Sequence, residues 1–524
     1  MKNDGNEFLG ILCNLYLIAL LGALTLYTGE GYWLLGDTKY VLFRNVSLIC
    51  LGGWLVAGLP GRVRALAESL GRVRRGQSRA WSFSFLDWAV ASYGASAVLS
   101  ALCSAYGSLA WEGYDGWFMG AWSQVLFVGV YFFVSRQYDG AAWPLYLGEG
   151  AVALVTLLGL LHRLGVDPLG LHEGWNVADW EYGHMLSTLG NINWFCGFYS
   201  VALAFVAGHY LWEERKWLQP PLYGAAAGAF VLMGIQGSQG GLLILAVCMG
   251  MCLLAGYGNA VRLKKAFLLF TGFFLGMPLM EVLMNLQGEK AAVVRDGNIF
   301  DHMKWYHGIG GAAVCLLLFL AVRGRKGSAR AEQDKRSKKI AGALVALGAA
   351  VFGVLFAVLV LGGVDDSFGS GRGLLWRIAW ESFMEAGWKE KLLGVGPDCY
   401  GPAVFQRLAA GTDVWKGEHW DGALFTNAHC ELLTQLCNVG ILGTVCYVWV
   451  FLAGIWSFRK EARQAPGWRS VHGEWLGLAA LAMYGAHSFV SFQQVLATPY
   501  LFLVLGLCEN RKRRMRGLLG GQSH

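Results

Sequence analysis

The run Thr426-Asn427-Ala428-His429-Cys430-Glu431-Leu432-Leu433 leads straight into an apolar stretch, which places His429 at the mouth of a membrane span. An imidazole with an ordinary pKa near 6.5 is a general base at neutral pH. Asn427 and Glu431 flank it where they can fix its tautomer, although a lone histidine at a membrane surface more often has a structural role. Upstream, the segment from Asp365 to Arg377 opens with turn residues. Leu375, Ile378, Ala379, Phe383 and Ala386 then recur at helical spacing, and Gly387 stands where the helix is expected to stop. Ser370 is the expected N-cap, so Arg372 falls in the first turn, where free N–H groups and the helix dipole favour an anion. A guanidinium fork there suits a phosphate or diphosphate; the alternative is an arginine that is merely solvated. Arg377, five residues on, faces away and is expected to pair with Glu381 at i+4.

Two further segments offer polar groups at span entrances. Gly190-Asn191-Ile192-Asn193 presents two amides suited to sugar or phosphate-ester oxygens. Gly237-Ser238-Gln239-Gly240-Gly241 interrupts an apolar run, either for close backbone approach to a ligand or for a tight turn. The acids Asp365 and Asp366, or Glu418 and Asp421 with His419 between them, offer metal ligands, but they spell out no octahedral set. The 12 cysteines fall mostly in apolar runs and read as small buried hydrophobes. No CxxC pair occurs, and Cys248 and Cys252 have no histidine or carboxylate near them in sequence, so no zinc site is expected. Cys399 and Cys430 border the same polar segment and are candidates for a disulfide, with two free thiols as the alternative.

The elements that must position these residues are membrane spans. Of the 524 residues, 55% are hydrophobic, 73 more are glycine and only 15% are charged; mean hydropathy is +0.43. That excludes a soluble enzyme, a disordered chain and a single-span receptor. The 23 Trp, 20 Tyr and 29 Phe suit two membrane–water interfaces. At about 20 residues per span, the sequence predicts an all-α polytopic protein with about fourteen transmembrane helices, near 8–28, 40–60, 84–106, 117–135, 145–163, 192–212, 221–236, 240–258, 266–284, 306–322, 340–363, 432–456, 475–490 and 496–508. The run from Phe8 to Tyr27 is expected to stay as the first span rather than be cleaved.

With both termini cytoplasmic, every cluster of Lys and Arg falls on the inner side. The net charge of +7 is then a matter of topology, with the basic loops solvated on lipid headgroups and no nucleic-acid partner. The organisation expected is helices 1–11 over 1–363, a large, partly helical outer loop over 364–430 with the active site, helices 12–14 over 431–510, and a basic cytoplasmic tail over 511–524.

In their order, these pieces resemble the O-antigen ligase and O-antigen polymerase superfamily of polytopic membrane glycosyltransferases. The resemblance rests on Gly190 to Asn193, Ser370 to Trp376, Leu-Gly-Val-Gly-Pro at 393–397, Asn427 to Leu433 and Gly-Ile-Leu-Gly at 440–443. Two positions depart from the family pattern: Gln239 stands where an arginine is usual, and Cys430 where an amide follows the histidine. The resemblance implies transfer of a glycan from an undecaprenyl-diphosphate carrier to an acceptor hydroxyl of a glycan, lipid or protein at the outer face of the cell membrane, without metal or other cofactor. Arg372 and His429 are then the catalytic pair, as diphosphate ligand and general base. Asn191, Asn193, Ser238, Gln239, Ser370, Arg377, Asn427 and Glu431 are expected to bind substrate. The competing expectations are a metal-dependent membrane glycosyltransferase and a flippase for lipid-linked oligosaccharide; the ionisable Asp87 and Glu149 within predicted spans favour the flippase.

Overall fold

The computed structural model describes residues 2–74, 83–176, 180–288, 303–324, 327–408, 425–458, 473–515 and 517. These residues are predominantly helical. The strands among them are a two-residue antiparallel pair, Met185–Leu186 with Gly190–Asn191, which closes a turn. Ten of the described helices are long and apolar enough to cross a membrane. Thirteen of the fourteen predicted stretches each overlap one described helical run, and 432–456 falls on two; the four runs not among the ten, Ala121–Gln137, Gln219–Ile235, Gly473–Val490 and Thr498–Met515, are shorter or less apolar. Their many buried residues give a reason, since a helix enclosed by other helices need not be apolar on every face.

The helix Ile192–Trp212 forms the centre and is buried almost throughout. Gly473–Val490 packs along it, Thr498–Met515 lies against Ala121–Gln137, and Gly440–Phe458 lies against Phe85–Cys103. On the outside, the apolar part of Arg330–Gly362 is exposed all round, with Leu347, Val351, Phe352 and Leu355 uncovered. Such a helix is stable in contact with lipid rather than water.

The predicted span 432–456 is two helices, Glu431–Asn438 and Gly440–Phe458, broken at Val439. The break leaves carbonyls free, and the Leu-Gly-Val-Gly turn satisfies them: Val395 N–H donates to Cys437 O at 3.0 Å and Gly396 N–H to Asn438 O at 2.8 Å. Gly440 (φ +67°) and Gly396 (φ +125°) both need left-handed backbone there, and a Cβ at either would fall 2.5 Å from a neighbouring oxygen.

At the opposite end of the bundle, the basic residues 511–514 form the last turns of Thr498–Met515, with Arg511 and Arg513 buried. Arg513 pairs with the fully buried Asp87, which also accepts from Arg136 at 2.8 Å and Tyr131 at 2.7 Å. Asp87 caps the helix Phe85–Cys103 with Ser84, so it anchors a helix end and is not a charge stranded in mid-membrane. Glu149 finds a partner too: both its oxygens lie 2.7 Å from His209 Nδ1.

Candidate active site

The polar segments picked out by sequence meet at one end of the helix bundle. The helix Phe368–Glu385 begins after Ser367, so Ser370 lies inside it and is not its N-cap. Gly369 and Gly371 take φ of +60° and +89° and distort the first turn. The carbonyl of Gly369 is thereby available to Arg372, whose Nη1 donates to it at 2.8 Å while Nε donates to Val490 O at 3.1 Å. No carboxylate pairs with Arg372 among the described residues. Burial pulls its pKa down, as expected for a cation away from water without a counter-charge.

Arg377 is committed elsewhere. Its Nε and Nη2 grip the two oxygens of Asp366 at 2.9 and 2.6 Å, and Nη1 reaches Glu381 at 3.4 Å. The i+4 pair is present but secondary, because the turn before the helix folds Asp366 back over it. On this exposed face Arg377 is already neutralised by Asp366 and Glu381. Asp366 is likewise engaged, and Asp365 accepts from Ser367 Oγ at 2.8 Å. Glu418, His419, Trp420 and Asp421 lie outside the described residues.

His429 has left-handed backbone (φ +46°), held because Asn427 Oδ1 accepts its N–H at 3.0 Å. The turn is also tied to the helix that follows, with Ala428 N–H donating to Thr434 Oγ1 at 3.0 Å. The imidazole meets the ring of Phe492 edge-on at 5.1 Å. Burial, then the charge of Arg372, lowers its pKa to about 3. Asn427 therefore fixes the backbone and not the ring, and Glu431 turns away from it. The imidazole is neutral at physiological pH, a usable hydrogen-bonding group but a weak base.

The other expected residues divide. Asn191 caps Ile192–Trp212 through Asn193 N–H at 2.8 Å. Asn193 Oδ1 lies 3.4 Å from the buried Ser238 Oγ, and Asn193 O accepts from Gln494 Nε2 at 3.2 Å. Gln239 is exposed at the start of Gln239–Gly256. A cation does stand near this turn: the fully buried Arg163 donates from Nη2 to Gln236 O at 2.6 Å. Cys399 and Cys430 are both buried free thiols, so no disulfide joins them.

Comparison with protein-family models and with curated proteins finds no match for this sequence. The chemistry of the site therefore rests on its own residues.

Beside His429 lies a small cavity lined by Trp117, Asp398, Asn427, Glu431, Asn438 and Gln493, among others. Glu431 is 2% exposed; Oε1 accepts from Gln435 Nε2 at 2.6 Å and Oε2 from Gln493 N–H at 2.7 Å. Asp398 accepts backbone N–H bonds from Tyr114 at 2.7 Å and Met119 at 2.9 Å. Neither acid has a cation partner among the described residues. Burial raises Glu431 to about 8 and Asp398 to about 6. Among the described residues the non-glycine positions with left-handed backbone are Phe118, Ser187, Asp398 and His429, and Phe118 adjoins the cavity-lining Trp117 and Met119. Each costs about 1–3 kcal/mol, and such strain concentrates at functional sites.

A second cluster lies nearby. His162 Nε2 is 3.3 Å and His172 Nδ1 is 3.6 Å from the carboxylate of Asp167. His172 Nε2 faces Met185 O at 3.3 Å, which leaves its Nδ1 free to ligate a metal. His162 Nδ1, however, accepts the N–H of Ser187 at 3.0 Å, so its proton belongs on the nitrogen facing Asp167. Neither that nitrogen nor His172 Nδ1 has a hydrogen-bond partner among the described residues, and the two rings and the carboxylate lie close enough together to hold a cation.

Asp398, Gln493 and Arg163 were missed in the sequence. The polar run Ser491-Phe492-Gln493-Gln494 between two apolar stretches is the one signal that pointed to Gln493.

Proposed function

We propose that the protein is a membrane glycosyltransferase that moves a glycan from an undecaprenyl-diphosphate carrier to an acceptor hydroxyl, in the synthesis of surface polysaccharide. The observation that carries this reading is Arg372: a largely buried guanidinium, bonded to two backbone carbonyls, with no carboxylate partner among the described residues. A bound diphosphate would supply the missing negative charge and would be stabilised as it leaves the anomeric carbon. The neutral His429 beside it is suited to hydrogen-bond the departing oxygens. Asn193, 3.4 Å from Ser238, and Asn427, which holds the His429 turn, suit sugar hydroxyls.

The topology that goes with this reading has fourteen spans, both termini in the cytoplasm and the segment 364–430 outside, where the lipid-linked donor is presented. Glycan, lipid and protein acceptors all remain compatible with it. By resemblance the reaction needs no metal, so transfer should persist in excess chelator; a chelator-sensitive reaction would favour the metal-dependent alternative.

The flippase reading draws on the buried Glu149–His209 contact and on Glu213, 3.1 Å from the same imidazole. Vesicles loaded with lipid-linked glycan separate the two readings. A transferase forms a new glycosidic bond and releases undecaprenyl diphosphate, whereas a flippase moves the donor unchanged.

A further inference from the structure

We infer that the cavity beside His429 is the acceptor subsite for a sugar hydroxyl, and that Glu431 takes the proton from that hydroxyl. This rests on the transferase reading and assigns its missing base.

The lining is matched to a hydroxyl donor. Asn438 is 6% exposed and its Oδ1 has no hydrogen-bond partner among the described residues. Glu431 and Asp398 add carboxylate oxygens on the same cavity. Trp117 lines it too, half-buried and edge-on to Phe492 at 4.9 Å, and its face suits the C–H surface of a sugar ring. The cavity holds about 30 Å³, room for one or two waters. It therefore admits a hydroxyl or hydroxymethyl group while the ring stays at Trp117.

Glu431 is better matched to the proton transfer than His429. A base works best with a pKa near the working pH, and Glu431 at about 8 meets this where His429 at about 3 does not. Gln435 and Gln493 donate to its two oxygens and fix its orientation. In the step, the acceptor oxygen bonds the anomeric carbon while its proton passes to the Glu431 carboxylate. The anomeric C–O bond breaks, and its electron pair leaves on the diphosphate beside Arg372. The titratable groups around Glu431 are Asp398, Cys430, Tyr93, Tyr447 and Tyr484.

The test is the pH profile of glycan transfer by full-length protein in nanodiscs, using lipid-linked glycan purified from the host as both donor and acceptor. Wild type should gain rate with pH up to a plateau above about 8. Glu431→Gln should lose about 10²–10⁴-fold in turnover and the pH dependence with it, while Glu431→Asp keeps a weakened limb. Asp398→Asn should move the midpoint down, because it removes a neighbouring negative charge; a purely structural role for these acids would leave the midpoint in place. A wild-type rate and limb in Glu431→Gln, or a limb lost only in His429→Ala, overturns the assignment but leaves the transferase reading intact. A wild type that binds donor and forms no glycosidic bond overturns both.

Discussion

The backbone N–H of Gln493 donates to Oε2 of Glu431 at 2.7 Å, joining the turn after Gly473–Val490 to the first residue of Glu431–Asn438. Through that bond a buried carboxylate without a cation partner among the described residues is held at the wall of the small cavity near His429. Such an acid is costly to ionise, and the cost is measurable.

Unfolded, Glu431 ionises near 4.5; folded, near 8. Between these values the unfolded chain binds fewer protons, so native stability contributed by this group falls as pH rises from about 4.5 to 8. The thermal midpoint of Glu431→Gln relative to wild type should therefore rise across that window, by an amount equivalent to a few kcal/mol at most. Gln435 can turn its amide to accept from the new side chain. A difference that stays constant with pH would contradict the burial argument.

His429 works in the opposite sense. Its folded pKa is depressed to about 3, so acid favours the unfolded chain as pH falls below about 6.5. His429→Ala should remove that acid sensitivity. In transfer, the same variant should lose about 10²–10³-fold in turnover, the size of one lost oxyanion-type donor, with donor binding nearly unchanged.

Arg372→Lys keeps the charge and loses the fork. Donor affinity should drop by at least about tenfold, with turnover falling as well. Equal donor binding in wild type and Arg372→Lys, measured with purified lipid-linked glycan, would remove Arg372 from the diphosphate site.

At the other end of the bundle, Asp87→Asn leaves Arg513 and Arg136 without their buried partner. Loss of one member of such a pair costs about 3–5 kcal/mol, so the thermal midpoint should fall markedly. The pH profile of any protein that survives should match wild type, since Asp87 belongs to the opposite end from Glu431.

Topology is open to direct labelling. The native cysteines among the described residues are buried, Cys103 excepted, which gives a quiet background. A cysteine at Ala329 should label from the cytoplasm and one at Trp388, which is 80% exposed, from outside. Labelling of both from one side would contradict the span count.

Much of the helical layout was legible because a membrane span announces itself by composition alone: ten described helices are long and apolar enough to cross a membrane, and the predicted stretches fall on helical segments. The break at Val439 was not legible, since it depends on Val395 and Gly396 arriving from another segment to take up the freed carbonyls. The importance of His429 could be read from its position, but its protonation could not, because Arg372 and Phe492 come near it only in the fold. Arg377 shows the reverse error: its i+4 partner was in the sequence, and the stronger partner, Asp366, lay across a turn. Glu431 was picked out as a neighbour of His429, whereas its acid partner Asp398 and its donor Gln493 are distant in sequence and gave little sign of convergence.

The central claim is that this protein makes a glycosidic bond at the expense of a lipid diphosphate. The most direct measurement is mass spectrometry of the products when purified protein in nanodiscs is given undecaprenyl-diphosphate-linked glycan in the presence of chelator. The account predicts free undecaprenyl diphosphate together with glycan lengthened or joined to an acceptor, and neither product with Arg372→Ala. Donor recovered unchanged by well-folded wild type that binds it would contradict the claim.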